Sequence, residues 1–371
     1  MVFEHHMLKE INEQPQVLAA LAKRAECLLE KEGNGLFGLG EEEMAGIQRI
    51  VFLACGTSYH ASLLGKGMVE SLAGLSCQVE YAHEYRMSAL LPLEHCLAVG
   101  LSQSGETLDT LEAMRKAREA GARTLSICNV ADSTAVRLAH AAFLLEAGPE
   151  KAVASTKVFS AQVAALFLLA LRLGLARGRL PREFVQKQLQ QLAAIPDKLS
   201  LVLGDDSFVQ EMASMLHEAR HLLLVGKGPA YAVALEGALK LKETCYLHAE
   251  AFAGGEFRHG PMALVEPKLP TLVLAPSLPK EGFELMQGTV HEILERGGPV
   301  WVLAQKRLKA LEEVGVRTGV LPEADVFCSA LLLVAPLQKL AYHLAKQRGL
   351  NVDSPRGLCK AVVDDPKALP L

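Results

Sequence analysis

Ser102-Gln103-Ser104-Gly105-Glu106-Thr107 crowds three hydroxyl groups into six residues at the end of an apolar run, Leu97 to Leu101, and a segment of helical period, Leu108 to Ala120, follows at once. Hydroxyls beside the free N–H groups of a helix start form a cradle for a dianionic phosphate, and Gly105 lets the backbone approach it. The plainer use of such residues is a helix N-cap, but the density of hydroxyls on an apolar strand favours the ligand. Cys55-Gly56-Thr57-Ser58 closes an earlier apolar run in the same way and offers Ser58 to the same group. The corresponding later loop, Pro276-Ser277-Leu278-Pro279, has lost the cluster. One phosphate cradle per chain is therefore expected.

A second constellation lies in Glu236-Gly-Ala-Leu-Lys240-Leu-Lys242-Glu243. Glu236, Lys240 and Glu243 fall at i, i+4 and i+7, on one helix face. Alone this would read as a solvated ion-pair face. The continuation, His248 to Pro261, is a Gly-rich stretch carrying His, Glu and Arg, with little reason to exist for packing. Of the histidines only His259 is given a functional role. Lys360 lies in a non-helical tail and by itself would be simply solvated.

These groups need a scaffold, and the composition describes one. The 371 residues carry 38 Lys+Arg and 42 Asp+Glu, a net charge of −4, and half are hydrophobic. The length suggests two domains, each able to close a core. The charge balance offers no basic footprint for nucleic acid or an acidic membrane, and with 5% aromatic residues a base-stacking platform is not expected. The eight cysteines are scattered, without a CxxC pair or a Cys/His cluster at metal-ligand spacing, so they read as reduced and no metal is expected. The start lacks the regions of a secretory signal, and the apolar stretch Val163 to Leu171 stops at Arg172, short of the roughly 20 residues of a membrane span. A cytoplasmic protein is the expectation.

Short apolar runs alternate with turns and helical segments, the pattern of a parallel α/β sheet. Ile50 to Ala54, Gln78 to Tyr81, Leu97 to Leu101, Arg123 to Cys128 and Ala142 to Glu146 read as strands, and His221 to Val225, Pro270 to Ala275 and Gly298 to Leu303 begin a second set. Gly226 follows Gly56 by 170 positions and Gly349 follows Gly174 by 175, an offset of domain length. Lys151 to Arg172 reads as one long helix, Arg182 to Leu192 as a helical connector, Gly33 to Gly40 as a surface loop, and Pro15 should break the helix over His6 to Lys31. The expected division is an N-terminal helical segment (1–45), a first domain with the cradle (46–180), a second with the acid–base helix and His loop (181–350), and a tail with Lys360 (351–371).

With these residues in view, the chain resembles the double-SIS (sugar isomerase) module of glucosamine-6-phosphate synthase, the glutamine:fructose-6-phosphate amidotransferase. MLKEINEQP, ACGTSYH, LSQSGET, VASTK, EGALKLKE, HAEAFAGGEFRHGP and PLQKLAYHLAKQRGLNVDSPRGLCK match in order along nearly the whole chain. The resemblance implies two tandem SIS domains, each a five-stranded mostly parallel sheet flanked by helices in a flavodoxin-like three-layer sandwich. It implies that Ser58, Ser102, Gln103, Ser104, Thr107 and Ser155 hold a sugar phosphate. Glu243 would move the proton between C1 and C2 of the open-chain sugar, a task suited to one carboxylate acting as base and then acid. His259 would reach the site of a neighbouring subunit and help open the ring, so a homodimer is implied. Lys360 would form an imine with the ketose carbonyl, and Lys240 and Glu236 would support the enediol chemistry. No cofactor is implied.

The family's synthase carries a glutaminase domain with an N-terminal cysteine ahead of the MLKEI segment, whereas six residues precede Met7 here and none is Cys. The expectation is an enzyme interconverting glucosamine 6-phosphate and fructose 6-phosphate in the deaminase or isomerase direction, with free ammonia. The alternatives are the isomerase domain of a synthase served by a separate or removed glutaminase, a deglycase of a phosphorylated sugar–amine adduct, and a sugar-phosphate-sensing regulator. The regulator could dispense with Glu243, His259 and Lys360, all of which are present.

Overall fold

The computed structural model describes residues 3–29, 35–89 and 91–360. The chain divides into two compact units, each built round its own five-stranded sheet. The described residues among 16–150, 157–193 and 359–360 form the first unit, and residues 3–15, 151–156 and 194–358 the second.

In the first unit the strands are β1 (Arg49–Ala54), β2 (Ser76–Tyr81), β3 (Cys96–Ser102), β4 (Arg123–Cys128) and β5 (Ala141–Leu144). They pair in parallel in the order β2-β1-β3-β4-β5. β3, at the centre, is buried at every residue, as a strand covered by helices on both faces must be. The helix Leu108–Glu119 lies over one face through Leu111, Met114 and Ala117, which cluster with Val51, Leu53 and Ala98. The 20-residue helix Lys157–Ala176 is long and apolar enough to cross a membrane by length and composition, but 94% of its apolar window is buried inside the protein. It is a core helix, packed beside Gly56–Met68 where the missing side chain of Gly65 admits Leu166.

The second unit repeats the plan with β6 (His221–Gly226), β7 (His248–Ala253), β8 (Thr271–Ala275), β9 (Val300–Ala304) and β10 (Arg317–Val320). Their order, β10-β9-β8-β6-β7, is the first order read from the other edge, and every pairing is parallel. Met286, Val290 and Ile293 of the helix Lys280–Glu295 close one core over Val225, Val273 and Val302. Each such fully buried aliphatic side chain contributes about 1.5–3 kcal/mol. Elsewhere in this unit the helix Pro229–Cys245 packs on Ser329–Gln347, with Gly237 at the crossing: a Cβ there would lie 2.5 Å from Leu337 Cδ1.

Several sequence expectations are corrected. The helix His6–Arg24 runs straight through Pro15. A proline leaves the carbonyl four residues back without its amide partner; here that carbonyl, of Ile11, accepts from Gln14 Nε2 at 2.8 Å, and Gln14 Nε2 is also 2.9 Å from Gln338 Oε1. The long helix expected from Lys151 starts only at Lys157, leaving residues 151–156 as a loop. The start of the Gly-rich stretch, His248–Ala253, is a strand paired to β6 rather than a loop. The strand expected over Ala142 to Glu146 is Ala141–Leu144, and Glu146 turns with φ of 53°. The tail beyond Lys360 and Gly33-Asn34 of the expected surface loop lie outside the described residues.

Candidate active site

In an open parallel sheet of order 2-1-3-4-5 the chain reverses its winding between the first and third strands, and ligands bind beyond the carboxyl ends there. The register Leu53 with Gly100 brings those ends of β1 and β3 level. Cys55 to Ser58 and Ser102 to Thr107 therefore emerge as neighbouring turns. Ser102 Oγ lies 3.2 Å from Thr107 Oγ1 and accepts the Gly105 N–H at 3.0 Å; Ser104 Oγ accepts the Glu106 N–H at 3.1 Å. Gly105 has φ of +68°, and a Cβ there would meet Ser133 Oγ at 2.2 Å, so only glycine fits. Glu106 braces the loop by accepting the Thr134 N–H at 2.7 Å, a bond that holds its carboxyl below the usual range. Ser58, on the first turn after β1, is oriented by Gln162 Nε2 at 2.9 Å. The Gln103 carbonyl accepts the Asn129 N–H at 3.1 Å.

Lys360 belongs to this same unit. Its Nζ is 2.8 Å from Glu150 Oε2, a carboxylate whose side chain is fully buried and whose other oxygen accepts the Val158 N–H at the start of the core helix. Imine chemistry at Lys360 requires the amine to leave this carboxylate and lose its proton.

The second unit carries the ionic helix. Lys240 Nζ stands 3.4 Å from Glu236 Oε1 and 2.6 Å from Glu243 Oε2, and Lys240 and Glu236 are wholly inaccessible. Glu243 alone retains exposure, 21% of its side chain. The row is thus one reachable carboxylate backed by a buried cation and a buried anion. Neither Glu236 nor Lys240 has a side-chain surface open to solvent.

Ser155 belongs to this unit, on the loop 151–156. Its Oγ is buried and without a hydrogen-bond partner among the described residues. Such a hydroxyl costs about 1–3 kcal/mol until an acceptor reaches it. The loop is tied down by Glu10, which accepts the Ala152 N–H, and by the Asp353 carbonyl, which accepts the Val153 N–H at 3.0 Å. The Asp353 carboxylate in turn receives the His6 and Met7 N–H groups at 2.9 and 2.8 Å. His259 follows the short helical turn Glu256–Arg258, is exposed, and its ring makes no hydrogen bond or ion pair with a described residue. The supporting residues Glu10, Glu150, Gln162 and Asp353 escaped the sequence reading. Only Gln162, polar within an apolar helix, carried a local signal.

The SIS domain model matches the chain at residues 43–172 and 215–346. The glutamine–fructose-6-phosphate aminotransferase (isomerizing) of Chlorobaculum tepidum is 40% identical over 363 residues, 97% of this chain and 58% of that protein. That of Xylella fastidiosa is 42% identical over 371 residues, 97% of this chain and 59% of its own length. The chain thus spans under three-fifths of these curated relatives. The solved C-terminal domain of glucosamine-fructose-6-phosphate aminotransferase from Francisella tularensis superposes with a TM-score of 0.87 at 33% identity, covering 95% of this chain and 99% of that one.

Proposed function

Because this chain belongs to the SIS domain family and is homologous along 97% of its length to the isomerizing aminotransferases, we propose that it interconverts fructose 6-phosphate and glucosamine 6-phosphate, with ammonia free in solution. The observation that carries the reading is Glu243: the reachable carboxylate of the ionic row, held by Lys240, which also pairs with the buried Glu236, in a chain that also presents a hydroxyl-lined cradle. In this proposal Ser58, Ser102, Gln103, Ser104, Thr107 and Ser155 hold the phosphate ester. His259 of a second copy assists ring opening, making the working form a homodimer. Glu243 takes the proton from one of C1 and C2 and returns it to the other. In the deaminating direction the resulting C2 imine takes up water and releases ammonia, leaving fructose 6-phosphate; Lys360, released from Glu150, can hold the ketose as its own imine.

Incubation with glucosamine 6-phosphate should yield ammonia and fructose 6-phosphate in equal amounts, and fructose 6-phosphate in heavy water should exchange its C1 hydrogen. Exchange without ammonia would remove the deaminase direction alone; absence of both would overturn the proposal. The coverage of under three-fifths favours one second reading, the isomerase half of a synthase fed by a glutaminase. Glutamine-dependent product formation on adding a glutaminase chain, with none from ammonium, would select it.

A further inference from the structure

Residues that could ligate a metal stand far apart along the chain, without a spacing that marks a site. In the first unit, however, the segments that follow three neighbouring strands, β2-β1-β3, each carry a donor. Cys55 follows β1, His83 lies on the first turn after β2, and Asp109 on the first turn of the helix after β3. We propose that Cys55, His83 and Asp109 bind a borderline-soft divalent transition ion of the zinc class, with water completing the coordination.

The ligand atoms all lie within 4.8 Å of one another, and Cys55 Sγ is 3.9 Å from His83 Nδ1. Ligands of a tetrahedral zinc ion stand roughly 3.3–3.6 Å apart, given bonds of about 2.3 Å to sulfur and about 2.0 Å to nitrogen or oxygen. Only a small contraction is needed, and His83 and Asp109, with 49% and 32% of their side chains exposed, are free to make it. The other ring nitrogen supplies an independent observation: His83 Nε2 faces Glu84 Oε1 at 3.5 Å. A carboxylate on that side favours the tautomer that presents Nδ1 to a metal, an arrangement typical of zinc ligands. Arg86 pairs with Asp109 Oδ1 and competes with an ion for this carboxylate. Burial first, then the charge of Asp109, pushes the Cys55 thiol up. A thiol so disposed is no activated nucleophile, and metal binding would displace its proton.

The site shares its turns with the cradle, since Ser58 follows Cys55 by three positions and Asp109 follows Thr107 by two. It is nevertheless testable without any sugar. The full chain, freed of metal with a chelator, is titrated with Co²⁺ in the spectrophotometer and with Zn²⁺ by calorimetry. One equivalent should bind, with a thiolate-to-cobalt charge-transfer band and the intense visible absorption of four-coordinate cobalt. Cys55→Ser should abolish the band, and His83→Ala, at an exposed position, should weaken binding by more than the roughly 10-fold that loss of a mere ligand-supporting residue costs, while leaving the circular dichroism unchanged. Arg86→Gln should tighten binding. Cys359→Ser, at the exposed cysteine, should change nothing. Absence of a thiolate band, a band that survives Cys55→Ser, or Zn²⁺ affinity indifferent to His83→Ala would overturn the proposal.

Discussion

Replacing Lys240 by Met tests whether the ionic row is a unit. Methionine keeps the length and most of the volume of the lysine stem, so little cavity cost enters. What disappears is the ammonium lying 3.4 Å from Glu236 Oε1 and 2.6 Å from Glu243 Oε2. Glu243 can turn to solvent; Glu236, wholly inaccessible, cannot. Removing one partner of a buried ion pair costs about 3–5 kcal/mol, a large share of the roughly 5–15 kcal/mol by which domains are stable. With a urea slope of about 3 kcal/mol/M the midpoint should fall by roughly 1 M or more. Urea unfolding followed by circular dichroism reads this directly. The double variant Lys240→Met/Glu236→Gln also removes the charge that Lys240 had balanced and should recover most of the loss. A single variant within about 1 kcal/mol of the parent, or a double variant no better than the single, would refute the argument that charge pairing holds the row.

Other regions make independent predictions. In the second unit Asp206 is desolvated, which alone would raise its carboxyl, but hydrogen bonds from His343 at 2.9 Å and from Lys339 outweigh this and lower it. A carboxyl held below its unfolded value of about 3.9 contributes stability above that pH and loses it as pH falls through the folded value. Asp206→Asn should thus cost roughly 3 kcal/mol at neutral pH by stranding the buried Lys339, and the gap to the parent should narrow in melts below about pH 4. Gly105→Ala, which forces a Cβ onto Ser133 Oγ at positive φ, should weaken sugar-phosphate binding at least tenfold by titration, with circular dichroism little changed. Gln14→Ala leaves the Ile11 carbonyl unpaired beside Pro15, so thermal denaturation should show a loss of about 1–3 kcal/mol.

What could be read in the sequence follows the burial of each element. β1, β3, β4, β6, β8 and β9 are nearly continuous apolar runs because helices cover both faces. β7 and β10 are the edges of their sheet, partly exposed, with the unremarkable sequences HAEAFA and RTGV. β7 alternates Ala with His, Glu and Phe but has none of the β-branched residues that mark a strand, and β10 is only four residues long. The helix through Pro15 depended on Gln14 and on a residue more than 300 positions away, Gln338. The cradle and the ionic row were legible because spacing along a turn or a helix fixes their geometry. Glu150 behind Lys360, and the Cys55, His83 and Asp109 group, are assembled by the topology and leave no local trace.

In the proposed reaction Glu243 carries the proton between C1 and C2. Hydrogen exchange at C1 of fructose 6-phosphate in heavy water, followed by NMR with the parent and with Glu243→Gln, addresses that step without reference to where the nitrogen comes from. The parent should catalyse exchange, and the variant should lose it by at least about 100-fold while retaining phosphate-ester affinity. Exchange by Glu243→Gln at the parent rate would contradict this role for Glu243.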